Sequence, residues 1–314
     1  MKIESFPRKL FLFRNNLCMF AQTQNELHNM KHMSILAVSL LALVACTPEK
    51  KQEADYSQYV NPMIGTDFTG NTYPGAQVPF GMVQLSPDNG LPGWDRISGY
   101  FYPDTTIAGF SHTHLSGTGA GDLYDISFMP VTRPYKEAPA PLGIYSTFSH
   151  NDEAASAGYY RVLLKDYNIN VELTATERCG IQRYTFPEAE ASVFLNLKKA
   201  MNWDFTLDSK IEVVDSTTIR GYRLSQGWSP LQHVYFETRF SKPFVACHMD
   251  TTSIVTKEKG WIGTAYVARF DFNTKKDEEI LVTTGISGVS MEGAGKNLRA
   301  EAPKDDFDYY QAQA

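Results

Sequence analysis

The stretch "INVELTA" places Ile169, Val171, Leu173 and Ala175 at every second position. In an extended chain, residues two apart share one face, so this segment is a strand with one apolar side. The same period recurs in "SVFLNL", where Val193, Leu195 and Leu197 fall together, and in "HVYFETRF" and "AYVARFDF"; "EEILVTTGIS" follows. Polar residues, Gly or Pro separate the runs. A period of two leaves few choices, because each strand must lay its apolar face on another sheet. Many short strands without a strand–helix–strand rhythm predict an all-β chain, here a large antiparallel β-sandwich over 59–289. Residues 61–104, "NPMIGTDFTGNTYPGAQVPFGMVQLSPDNGLPGWDRISGYFYPD", differ: they are dense in Gly and Pro and carry Trp, Tyr and Phe. Aromatic-bearing loops held on a rigid scaffold are where binding sites tend to form.

The bulk numbers set the outer bounds. With 314 residues, 43% hydrophobic and 20% charged, the chain is a folded protein of one large or two ordinary domains. A net charge of −6 and the lack of a long Lys/Arg cluster argue against nucleic acid as a partner. An aromatic content of 13% suits strands and sugar-stacking surfaces equally. Cys179 and Cys247 each sit in a strand-like segment and read as two separate buried thiols, with a disulfide between them as the alternative.

The ends have their own logic. "MKHMSILAVSLLALVAC", Met30 to Cys46, carries Lys31 and then an apolar run from Ile35 to Val44. That run is too short to span a bilayer and reads as the core of a secretory signal. Leu43-Val44-Ala45-Cys46 resembles the bacterial lipoprotein cleavage box, in which the cysteine becomes a lipidated N-terminus. The alternative is an ordinary signal peptide with a chance cysteine. Residues 47–58, polar and charged, form a tether. Residues 1–29 lack such logic and are expected to be an artefact of gene prediction, with the true start at Met30 or Met33. The expectation is an exported lipoprotein of the periplasm or outer membrane of a Gram-negative bacterium, held by lipid and spanning nothing. At the other end, Met291, Ala294 and Leu298 share a helical face, Pro303 interrupts, and "FDYYQAQA" begins another helix. Residues 290–314 are expected to open a helical linker that is cut short.

"GFSHTHLSGTGAGD", Gly109 to Asp122, is the densest motif. On a strand, His112 and His114 would point the same way and could share Zn²⁺ or Fe²⁺, but no third ligand nominates itself. "GTGAG" matches neither phosphate-binding glycine pattern. A pair of hydrogen-bonded loop histidines in a glycine turn is the plainer reading.

Seven blocks, in order, resemble glycoside hydrolase family 92: "YVNPMIGTDFTGNTYPGAQVPFGMVQLSPD", "GWDRISGY", "IAGFSHTHLSGTGAGDLYDISFMP", "ELTATERCGIQRYTFP", "GYRLSQGW", "VYFETRFSKPF" and "GISGVSMEGAGKNLRAE". The resemblance runs from about Tyr59 to the last residue. It implies exo-acting α-mannosidases of gut Bacteroidetes, with a β-sandwich first, helical linkers next and a large (α/α)₆ barrel last. It further implies inverting hydrolysis, of the α-1,2 type, with a Ca²⁺ ion that helps hold a distorted mannose. Inversion needs one carboxylic acid on the leaving oxygen and one carboxylate on water. By resemblance both carboxylates and most of the calcium shell belong to the barrel, which this chain lacks. No catalytic residue and no metal ligand is therefore assigned here.

What remains for this chain is contact with mannose-containing glycans. The Trp94 indole offers a flat face for a pyranose, and the Asp95 carboxylate can accept two sugar hydroxyls. The competing readings are a core Trp94 and a turn-capping Asp95. His112 and His114 are expected to bond hydroxyls or orient a neighbour. Asp122 supports the loop, and Tyr73 and the Pro79-Phe80-Gly81 turn shape a pocket wall. Trp203, Asp204 and Trp228 read as structural. Three functions stay open: part of an exo-α-mannosidase in partnership with its own helical domain, a stand-alone carbohydrate-binding lipoprotein domain without catalysis, and a structural surface lipoprotein domain.

Overall fold

In the computed structural model, residues 55–314 are described, except 141, 199–201, 203 and 257–260. The calls on Cys46, on the signal and on Trp203 lie outside them. Two antiparallel sheets dominate. The first has six strands, in the spatial order Ser86–Asp88, Gly109–Ser111, Ser127–Thr132, Ala189–Asn196, Trp261–Thr274, Ala246–Thr256. The second has eight, in the order Phe205–Val213, Thr218–Gln226, Gln232–Phe240, Glu278–Ser287, Cys179–Phe186, Ile169–Ala175, Tyr159–Leu164, Glu153–Ser156. Register follows the apolar period: Val171 faces Val162 on one side and Tyr184 on the other. A slip of one residue would turn every such side chain to the wrong face.

The core lies between the sheets. Val171, Leu173, Val193, Leu195, Phe236, Phe270 and Ile280 are fully buried there. Phe240 gathers Phe128, Phe270 and Phe272 with ring centroids 5.2 to 6.4 Å apart, a spacing at which edge and tilted contacts add to the area term. At one margin the sheets are stitched directly, the Tyr266 amide donating to Ser209 Oγ at 3.0 Å.

The strand Glu278–Ser287 is buried from Ile280 onward rather than alternately. The helix Met291–Glu301, capped by Ser290, explains this by covering the outer face of the eight-stranded sheet. Leu298, Phe307 and Tyr310 pack there on Cys179, Ile181 and Leu281 in a second, smaller core. Gly285 lets the helix down: a methyl group at that position would meet the Ala294 carbonyl oxygen at 2.6 Å and Leu298 Cβ at 2.8 Å. Glu301 accepts from Thr176 Oγ1 at 2.6 Å and from the Arg178 amide at 2.8 Å, and Arg239 donates to the carbonyl of Ala302 at 2.9 Å, where the helix leaves carbonyls without partners. Pro303 follows, and Phe307–Gln311 forms a short second helix. Cys179 is buried and free, its thiol pushed up to about 12 by desolvation; Cys247 is free and only half-buried, which corrects the expectation of two enclosed thiols.

Candidate substrate-binding site

The loops after the short strands of the smaller sheet meet one end of the larger one, and a buried ion network holds them. Arg223 stands on an inward position of its strand and is 1% exposed. Its Nη1 donates to Asp125 Oδ1 at 2.6 Å, its Nη2 to Asp204 Oδ2 at 3.1 Å and its Nε to Thr206 Oγ1 at 2.9 Å. Asp125 also accepts from Thr113 Oγ1 at 2.7 Å, and Asp204 from the Leu123 amide at 3.2 Å. One guanidinium thus serves two buried carboxylates. Asp204, the more distant partner, is driven up to about 6, because burial outweighs its share of that charge.

The backbone above this network is strained. Leu123, Tyr124 and Ile126 have φ of 87°, 65° and 56°, left-handed values that a β-branched residue such as Ile126 rarely adopts. Tyr124 is tied by its hydroxyl to the carbonyl of Ile97, at the end of the turn Trp94–Arg96. Asn202 accepts from the Gly93 amide at 3.0 Å and so braces the other side of that turn. Trp94 is 57% exposed, which removes the core reading. Under its edge runs the glycine loop; a methyl group at Gly119 would lie 3.3 Å from Trp94 Cη2. Asp95 is half-exposed, and no hydrogen bond engages its carboxylate among the described residues. The hydrogen bonds of its neighbour Arg96 go to Asp104, at 2.6 and 2.5 Å, and Asp95 feels that guanidinium only as a nearby charge.

Of the two roles expected of the histidines, the structure shows the orienting one. His112 is 0% and His114 3% exposed, so neither ring meets a sugar hydroxyl directly. His112 Nδ1 donates to the carbonyl of Ile126 at 2.7 Å, which helps fix the left-handed bend. Burial lowers its pKa to about 4, so the ring is neutral. His114 Nδ1 donates to the carbonyl of Gln84 at 2.7 Å, and its Nε2 sits 2.9 Å from Asp88 Oδ1 and 3.0 Å from Ser111 Oγ. The rings answer to different partners and share no ligand position. Phe80 is fully exposed, at φ 59°, and is not in the lining of the cavity of about 460 Å³ that Tyr73 and Pro79 form with Ser116 and Gly158.

Asp122 is 2% exposed. Its Oδ2 accepts from the amides of Trp228 at 2.7 Å and Ser229 at 3.2 Å, and from Gln232 Nε2 at 3.0 Å. It therefore fastens the loop after the Arg223 strand. Trp228, expected to be structural, is 82% exposed on that loop. Sequence reading missed Arg223, Asp125 and Asn202. For Arg223 a signal existed: it shares its strand face with Ile219 and Gly221, and a charge on an apolar face demands a partner.

Calcium takes about six to eight oxygen ligands. Among the described residues no group of three or more His, Cys, Asp or Glu side chains gathers to hold a metal. Asp122 Oδ1 and Asp204 Oδ1 are buried without partners, but two oxygens are a small part of such a shell. The described residues do not by themselves fit a calcium site.

Asp204 carries a pH prediction. An acid whose folded pKa lies above its unfolded value favours the protonated fold, so the stabilisation is complete below about pH 4 and is lost as pH rises through about 6. Asp204→Asn removes that titration. Urea midpoints measured from pH 4 to 7 should fall less with rising pH in the variant than in the parent; parallel curves would show that Asp204 does not titrate in this range.

Residues 59–287 match the glycosyl hydrolase family 92 N-terminal domain. A GH92 α-mannosidase of Bacteroides thetaiotaomicron, BT3965, superposes with a TM-score of 0.74 at 38% identity, over 82% of this chain and 36% of its own; its complex with mannoimidazole gives 0.73 at 37%. The inverting GH92 mannosidase BT2199 of the same organism gives 0.67 at 26%, over 84% of this chain and 35% of its own. An uncharacterized secreted glycosidase of Arthroderma benhamiae is 26% identical over 172 residues, which is 52% of this chain and 21% of that one. This chain thus spans about a third of the solved relatives and about a fifth of the fungal one. The chain belongs to glycosyl hydrolase family 92, and its residues 59–287 are the family's N-terminal domain.

Proposed function

We propose that this domain is the part of an inverting exo-α-mannosidase, of the α-1,2 type, that grips the terminal mannose through Trp94 and Asp95. One observation carries the reading: an exposed indole stands beside a carboxylate that no hydrogen bond engages among the described residues, on a turn braced from one side by the buried Tyr124 and from the other by the half-buried Asn202. The indole face covers the apolar side of a pyranose while Asp95 accepts hydroxyl protons, and neither group must be reorganised on binding. The relatives that are α-mannosidases, one of them bound to mannoimidazole, support the sugar assigned. Water activation and leaving-group protonation need two carboxylates. In this proposal they come from a helical partner domain, and this domain's own task is to bind and orient. Calcium belongs to the proposal through family membership alone, and no step assigned to this domain runs through it.

In the enzyme carrying this domain, Trp94→Ala should cost about 2–4 kcal/mol of transition-state stabilisation, or about 30- to 1000-fold in kcat/KM. The melting temperature should barely move, since the side chain is more than half exposed. Normal kcat/KM with a depressed melting temperature would place Trp94 among structural residues and remove it from the site.

We also propose export and lipid attachment at Cys46 for the complete protein, in the periplasm or outer membrane. The supporting feature is the apolar run that ends at Leu43-Val44-Ala45-Cys46. Each buried acyl CH₂ contributes about 0.8 kcal/mol, so Cys46→Ala should move the protein from the membrane fraction to the soluble one. Unchanged fractionation would refute the anchor.

A further inference from the structure

We infer that Trp228 is a second sugar platform, which receives the residue next to the terminal mannose and so favours glycan chains over single sugars. The inference rests on the reading of Trp94 above and extends that site by one sugar.

An indole 82% exposed on a free, flexible loop would mean little. This one is fixed. The amide of Trp228 itself donates to Asp122 Oδ2 at 2.7 Å, the next amide donates to the same oxygen, and Gly227 N closes the turn onto the carbonyl of Ser229 at 3.0 Å. The loop is thus anchored to the buried interior while its largest apolar side chain points outward. A rigid, outward aromatic loses little entropy on binding, which suits a ligand platform. Its surroundings are polar: Gln226, at the end of the preceding strand, and Ser229, on the loop, are half-buried. A flat apolar ring among amide and hydroxyl groups matches a pyranose, which is apolar on its faces and hydroxylated at its rim.

Placement links it to Trp94. Both indoles lean on one stretch of chain, the glycine loop: Trp94 on Gly119, and the Trp228 backbone on Asp122. Those two contacts are three residues apart, a reach of at most about 10 Å. The loops that carry the two indoles are therefore footed on neighbouring points of one segment, as a site for two linked sugars requires. Asp122, buried and without any route to the ligand, acts as a positioning residue for Trp228.

The test compares methyl α-mannoside with α-mannobiose, titrated into the full chain and followed by ligand-observed NMR. The parent should bind the disaccharide more tightly than the monosaccharide. Trp228→Ala should weaken α-mannobiose about tenfold and leave methyl α-mannoside within about twofold, whereas Trp94→Ala should weaken both. Trp228→Phe, which keeps most of the stacking face, should recover most of the disaccharide affinity. Equal affinity of the parent for the two ligands, or equal changes for both in Trp228→Ala, overturns the second platform while leaving Trp94 in place. Methyl α-mannoside binding that ignores Trp94→Ala overturns the Trp94 reading instead, and binding of neither sugar by the parent overturns both.

Discussion

The end of this domain that carries the Trp94 and Trp228 loops depends on one buried cation. Arg223 is enclosed between Asp125 and Asp204, and no water is needed to complete its bonds to Asp125, Asp204 and Thr206. A guanidinium in such a place is tolerable only because its partners are fixed, and removing one side of a buried pair typically costs about 3–5 kcal/mol. The return is positional. Asp125 and the Leu123 amide belong to a segment with three left-handed residues, each costing about 1–3 kcal/mol and persisting only where the surroundings enforce it. Arg223 enforces it, from a strand of the opposite sheet. The bend then sets Tyr124 under the Trp94 turn and Asp122 under the Trp228 loop.

Seen this way, "GFSHTHLSGTGAGD" is neither a metal site nor a phosphate cradle. Its histidines are interior struts, its glycines make room beneath an indole, and its final aspartate holds a neighbouring loop. The chemistry it supports stands on the loops beside it.

The sheets were legible because a period of two is a direct imprint of the pleat. Ile169, Val171 and Leu173 read correctly for that reason. The strand Glu278–Ser287 kept its type but not its alternation, since a helix covers its second face, and periodicity carries no record of that cover. For the histidines the shared-face reading and the loop reading parted at the strand's end. Residues two apart share a face only within a strand, and this strand ends at Ser111, so His112 and His114 follow a bend and serve different partners. Trp228 looked structural because large aromatics usually are; its exposure depends on Asp122, more than a hundred residues earlier in the chain. Arg223 could have been found from its parity on the strand, but its partners could not.

The most direct test of this account is amide hydrogen exchange at Leu123, Trp228 and Ser229 in the parent and in Arg223→Met. These amides donate to Asp204 and Asp122 rather than to a strand ladder. The account predicts protection near that of strand residues in the parent, and its loss in the variant while Ile181 and Thr283, paired in the middle of the larger sheet, stay protected. Retained protection at all three loop amides, with the sheet equally intact, would show that Arg223 does not hold the Trp94 and Trp228 loops in place.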